Sequence, residues 1–119
     1  MLPATEFDPE AIVRLRRIGN AAFVREMLDL FEQLAVAKIA AARGALAAGD
    51  LAALAAAAHP LKSSSGGVGA RCMFDLATRI ELHASRGESE PLPGLVAELE
   101  AAFARFRPEL ESARQRIAP

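Results

Sequence analysis

His59 and Lys62 are the two side chains of this sequence best suited to do chemistry together, three residues apart in the segment AHPLKSSSGGVGA (58–70). An imidazole is largely neutral at pH 7, and a neutral ring nitrogen can attack an electrophile without first losing a proton. Such a nucleophile needs no dedicated general base, and no second acid–base constellation stands near it in the sequence. Lys62 puts a point positive charge one helical turn away, where it can offset an anion carried by the ring. Ser63, four residues after the histidine, can add a hydrogen bond to the same anion. The glycine cluster Gly66-Gly67-Val68-Gly69 fits no nucleotide fingerprint, because no strand precedes it and no Gly-Lys-Ser/Thr follows. It reads instead as a flexible turn between helices that lets them pack closely. His59, Cys72 and His83 show no CxxC, HxxxH or HExxH spacing, so no metal site is expected.

These groups need an element to hold them, and the spacing predicts an amphipathic helix. Leu51, Leu54, Ala58, Leu61 and Ser65 repeat at intervals of three and four, the pattern of a buried helix face. At about 100° per residue, His59 stands roughly 120° from the centre of that stripe and should face water. Its helical neighbours are Ala52, Ala55, Ala56, Lys62, Ser63 and Gly66. Five of those six are small, so the ground around the imidazole is cleared for another macromolecule to approach.

The same segment resembles the histidine-containing phosphotransfer (HPt) family of multistep phosphorelays, whose motif runs roughly A-H-x-L-K-G-S/A-S/A-x-x-x-G-A. The correspondence takes in Ala58, His59, Leu61, Lys62, Ser64, Ser65, Gly69 and Ala70, then Met73, Ala77 and the Ile80-Glu81 pair. RLRRIGNAAFVREMLDLF, near the start of the chain, is similar to the first helices of the family, and Gly49-Asp50-Leu51 opens the histidine helix in the same way. The resemblance implies that His59 is the phosphoacceptor, through Nε2, and that Lys62 offsets the phosphoryl charge. It implies a phosphocarrier rather than an enzyme, served by receiver domains of response regulators or by a hybrid histidine kinase. The receiver would bring the aspartate and the Mg²⁺, leaving this chain with no cofactor of its own. Docking would use Ala52, Ala55, Ala56, Ser63 and Gly66. Two positions depart from the family pattern. Ser63 replaces a glycine with little added bulk, and Pro60 removes a backbone N–H inside the helix, which predicts a kink or local widening beside His59.

Composition narrows the alternatives. The chain has 119 residues, 52% of them hydrophobic and many of those alanine, with no Trp or Tyr and six Phe. That length suits a single domain over residues 1–119, and the scarcity of β-branched and aromatic residues argues against strands. A net charge of −1 lacks the basic surplus of a nucleic-acid binder. Cys72, the one cysteine, excludes an internal disulfide and fits a reducing cytoplasm. No run reaches membrane-spanning length, and the N-terminus shows no signal-peptide pattern. A cytoplasmic monomer is expected.

Punctuation along the chain sets the elements. Asp8-Pro9-Glu10 is a helix start, carrying Ile12, Leu15 and Ile18 on its apolar side and stopping at Gly19. Asn20 caps a long helix whose apolar positions include Phe23, Met27, Leu30, Phe31, Leu34 and Ile39, ending at Gly49. Asp50 caps the His59 helix, which should fade over 63–69. A further helix carries Met73, Leu76, Ala77, Ile80 and Ala84 to about Arg86, with Leu82 outward and His83 at its edge. After a loop at 87–91 the last helix carries Leu95 to Ile117, its stripe keeping phase across Pro108. The expected fold is all-α, an antiparallel four-helix bundle with a short additional N-terminal helix as a lid. Two rival functions share this fold: a docking or scaffold module whose histidine is incidental, and a degenerate dimerisation and phosphoacceptor domain of a sensor kinase.

Overall fold

In the computed structural model, which describes residues 8–117, five helices account for most of the described residues. They are α1 (Pro9–Ile18), α2 (Ala21–Ala48), α3 (Leu51–Val68), α4 (Arg71–Ser85) and α5 (Leu92–Ile117). The ends of the expected 1–119 domain, residues 1–7 and 118–119, lie outside the described residues. The caps are local and sit where the sequence puts them. The carboxylate of Asp8 accepts from the Glu10 amide, the Asn20 side chain from Phe23, and the carboxylate of Asp50 from Ala53, each filling an otherwise orphaned helix donor. Gly49 closes α2 with φ of 69°, a left-handed conformation that favours glycine.

Helices α2 to α5 form a ring in which each packs on the next and α5 returns to α2. Ion pairs along that last seam fix its direction. Arg43 meets Glu100, Glu32 meets Arg107, and Asp29 meets Arg114, so residue numbers fall along α2 as they rise along α5. The two helices are therefore antiparallel. Exposed pairs of this kind contribute little each, and the core carries the bundle. Phe106 is fully buried and meets Phe31 edge-on, ring centres 5.7 Å apart at 85°. Small core residues, among them Ala35, Ala57, Ala58, Ala77 and Ala102, let the helices approach closely. No helix among the described residues is long and apolar enough to cross a membrane.

Three expectations change. The His59 helix does not fade over 63–69 but continues to Val68, so Gly66 and Gly67 are its last turn and only Gly69 leaves it. Burial of Val68 in the core outweighs the weak helix propensity of the two glycines. Ile18 and Leu30 were expected on buried faces, but Ile18 is 74% exposed and Leu30 49%. Finally, α3 stays α-helical on both sides of Pro60, with no widened turn.

Gly69 also pins α1. Its φ is 81°, its carbonyl accepts from the Asp8 amide at 2.7 Å, and a methyl group at its Cα would lie 2.6 Å from the Asp8 carbonyl oxygen. Gly69→Ala combines left-handed strain with that clash, so urea denaturation should show a loss of at least ~1–2 kcal/mol. An unchanged midpoint would refute this account of the corner.

Candidate functional site

His59 projects from the middle of α3 with its side chain 63% exposed. Behind it on the same helix, Leu54, Ala58, Leu61 and Ser65 are buried, so the backbone under the imidazole is held by the core. Lys62 stands one turn further on. The neighbouring helix α4 supplies a third group, Glu81. One of its carboxylate oxygens lies 2.7 Å from Nδ1 of His59, and the other accepts from Nζ of Lys62 at 2.7 Å. A single carboxylate thus holds both side chains.

The electrostatics follow from this geometry. The hydrogen bond from Lys62 holds the Glu81 carboxyl below the usual carboxylate range; partial burial opposes the shift, and the bond to His59 adds to it. An ionised Glu81 can only accept, so Nδ1 carries the hydrogen and donates. The lone pair of a neutral imidazole is then on Nε2, which makes no hydrogen bond among the described residues. The arrangement selects one tautomer and orients its nucleophilic nitrogen, as carboxylates do for histidines in other sites.

A lowered folded-state pKa means that the contribution of Glu81 to stability is complete above about pH 4.3 and fades as pH falls through the lowered value. Glu81→Gln should therefore lose less stability than the wild type between pH 6 and roughly pH 3, measured by urea unfolding across that range. Parallel losses in the two proteins would show that the carboxylate is not engaged.

The other predicted residues fall around this centre. Ala52, Ala56, Ser63 and Gly66 are exposed on the His59 side of α3, while Ala55 is half-buried against the core. His83 does not join them; its Nδ1 lies 2.7 Å from Glu88 at the end of α4. Sequence reasoning missed the partnership of Glu81 and the two apolar flanks. Phe74, 44% exposed, stands beside Gly66. On the other side of α3, Leu15, Met27, Leu30 and Leu34 line a dent of about 240 Å³ against Ser64 and Gly67. A signal existed for the first flank, because Phe74, Thr78 and Glu81 repeat at helical spacing.

The family model for the Hpt domain matches residues 26–109. The chain belongs to the Hpt domain family. The matched span includes parts or all of the four bundle helices and leaves α1 outside. Among solved structures, this Hpt domain is similar to histidine-containing phosphotransfer protein B (HptB) from Pseudomonas aeruginosa PAO1. The two are 29% identical with a TM-score of 0.88, over 96% of this chain and 98% of that one. No curated protein matches the chain. Within this Hpt domain the His59–Glu81–Lys62 cluster lies inside the matched residues, on the two helices at the centre of the span.

Proposed function

We propose that this Hpt domain carries a phosphoryl group on His59 between aspartates of receiver domains in a phosphorelay. The observation that carries the reading is the shared carboxylate of Glu81, which presents Nε2 outward and keeps Lys62 beside it. In the forward step Nε2 attacks the phosphorus of a receiver's acyl phosphate in line. A P–N bond forms, the P–O bond to the aspartate breaks, and the carboxylate leaves with the bonding pair. The ring, still bearing hydrogen on Nδ1, becomes cationic, and the Glu81 carboxylate stabilises that charge. Lys62 offsets the charge of the phosphoryl group, and the Ser63 hydroxyl can donate to one of its oxygens. The reverse step returns the group to a second receiver.

In this reading the chain is one domain acting as a cytoplasmic monomer, a phosphocarrier rather than an enzyme. The receiver contributes the Mg²⁺, so catalysis here is positioning and charge compensation. The receiver lies on Ala52, Ala55, Ala56, Ser63 and Gly66, with the apolar flanks at Leu30 and Phe74 completing the contact.

The test is transfer from a panel of phosphorylated receiver domains. The product should be acid-labile and base-stable, as a phosphoramidate is, and peptide mapping should place it on His59. Binding of receivers without label on the chain would give this face to a scaffold instead.

A further inference from the structure

The surface between α1 and α5 is not used by the chemistry above, and none of its residues belongs to α3 or α4. α1 packs on α2 and α3 but makes no close contact with α5 among the described residues, leaving a groove of about 860 Å³ between them. Its walls are apolar, with Ile12 and Val13 on α1 facing Ala113 and Ile117 on α5. Val13 is 41% exposed although it is a β-branched aliphatic residue on an amphipathic helix. Three arginines rim the groove: Arg16 and Arg17 from α1 and Arg116 from α5. All three are exposed and make no ion pair among the described residues, whereas Arg107 and Arg114 on α5 are held by Glu32 and Asp29 of α2. Among the described residues only Glu109, half-buried in the wall, brings a carboxylate to the groove.

We propose that this groove docks an acidic amphipathic helix of a partner protein. The shape is that of a helix-in-groove site. The ten residues of α1 run about 15 Å, more than the two turns over which a partner places apolar anchors at i, i+3 or i+4, and i+7. The charge specifies the flanks of that partner. Asp or Glu beside the anchors pairs with the arginines of the rim, and Lys or Arg there is repelled. Arg16, Arg17 and Arg116 make no ion pair among the described residues, so pairing with a partner breaks none of those seen there.

The probe is a fluorescein-labelled helical peptide of about fifteen residues, with leucines at those intervals and Glu on both flanks, and a counterpart with Lys in place of Glu. Titrated with the full chain and read by anisotropy, the acidic peptide should bind about tenfold or more tighter than the basic one. A triple variant, Arg16→Glu with Arg17→Glu and Arg116→Glu, should invert that preference. Val13→Asp should weaken both peptides. Circular dichroism checks that each variant folds, and phosphoryl acceptance at His59 should stay at the wild-type level in all of them. Equal affinity for the two peptides, or binding to neither, overturns the proposal. So does acidic-peptide binding that is unmoved by the arginine reversals. Three other results would reassign the groove: binding to phosphatidylglycerol vesicles without peptide binding, to a membrane surface; a dimer abolished by Val13→Asp, to a second copy; and peptide binding seen only after deletion of residues 2–7, to the chain's own N-terminal segment.

Discussion

His59→Gln should abolish acceptance of the phosphoryl group, lowering transfer from receiver domains by roughly a thousandfold or more, as removal of a nucleophile does elsewhere. Glutamine keeps a polar side chain of similar reach on the exposed face of α3, so the bundle should keep its stability within about 0.5–1 kcal/mol. The two readouts separate chemistry from folding. Receiver binding should persist, because Ala52, Ala56, Ser63, Gly66 and the apolar flanks are untouched. Label on the variant equal to that on the wild type would place the acceptor elsewhere and remove the basis for the Glu81 argument. Loss of receiver binding together with label would instead make His59 a contact residue.

Phe106→Ala should give the largest loss of stability. Phe106 is fully buried on α5 and its ring meets Phe31 of α2 across the bundle. Truncation leaves a cavity that helices already spaced by other side chains cannot close, at a cost of about 3–5 kcal/mol. Some 0.5–1.5 kcal/mol of that is the lost edge-to-face contact. Set against a total stability of about 5–15 kcal/mol, the variant should be marginal, with its thermal midpoint lowered by roughly 10–20 °C. Denaturant titration followed by far-ultraviolet dichroism measures this directly. A loss under about 1 kcal/mol would mean that the α2–α5 seam is not packed as described.

The frame was legible in the sequence because its signals are local. Asp8, Asn20, Asp50 and Gly49 each act within one turn of their own position, and each does in the structure what its type and place imply. The buried stripe of α3 and the exposure of His59 follow from periodicity alone. The misplaced end of α3 has a different origin. Two glycines in succession favour a turn locally, but the packing of Val68 is a property of the whole bundle and outweighs them. Ile18 and Leu30 show the converse, since apolar periodicity does not reveal which stripes the neighbouring helices fail to cover. Glu81 was hidden for a third reason. It lies 22 residues from His59 on another helix, and only the packing of α3 on α4 brings its carboxylate to the imidazole. Sequence could place Glu81 on a face, but not that face against its partner.

The way His59 is mounted has a consequence for how information is stored. The imidazole stands outside a continuous helix whose inner face is held by Leu54, Ala58, Leu61 and Ser65, with no loop within a turn of it. On the proposed function, a phosphoryl group gained there would alter the charge that the surface displays while the helix beneath stays held by the core. A carrier built in this way would hold its message as occupancy and not as shape. On that reading, a partner would have to recognise the group itself.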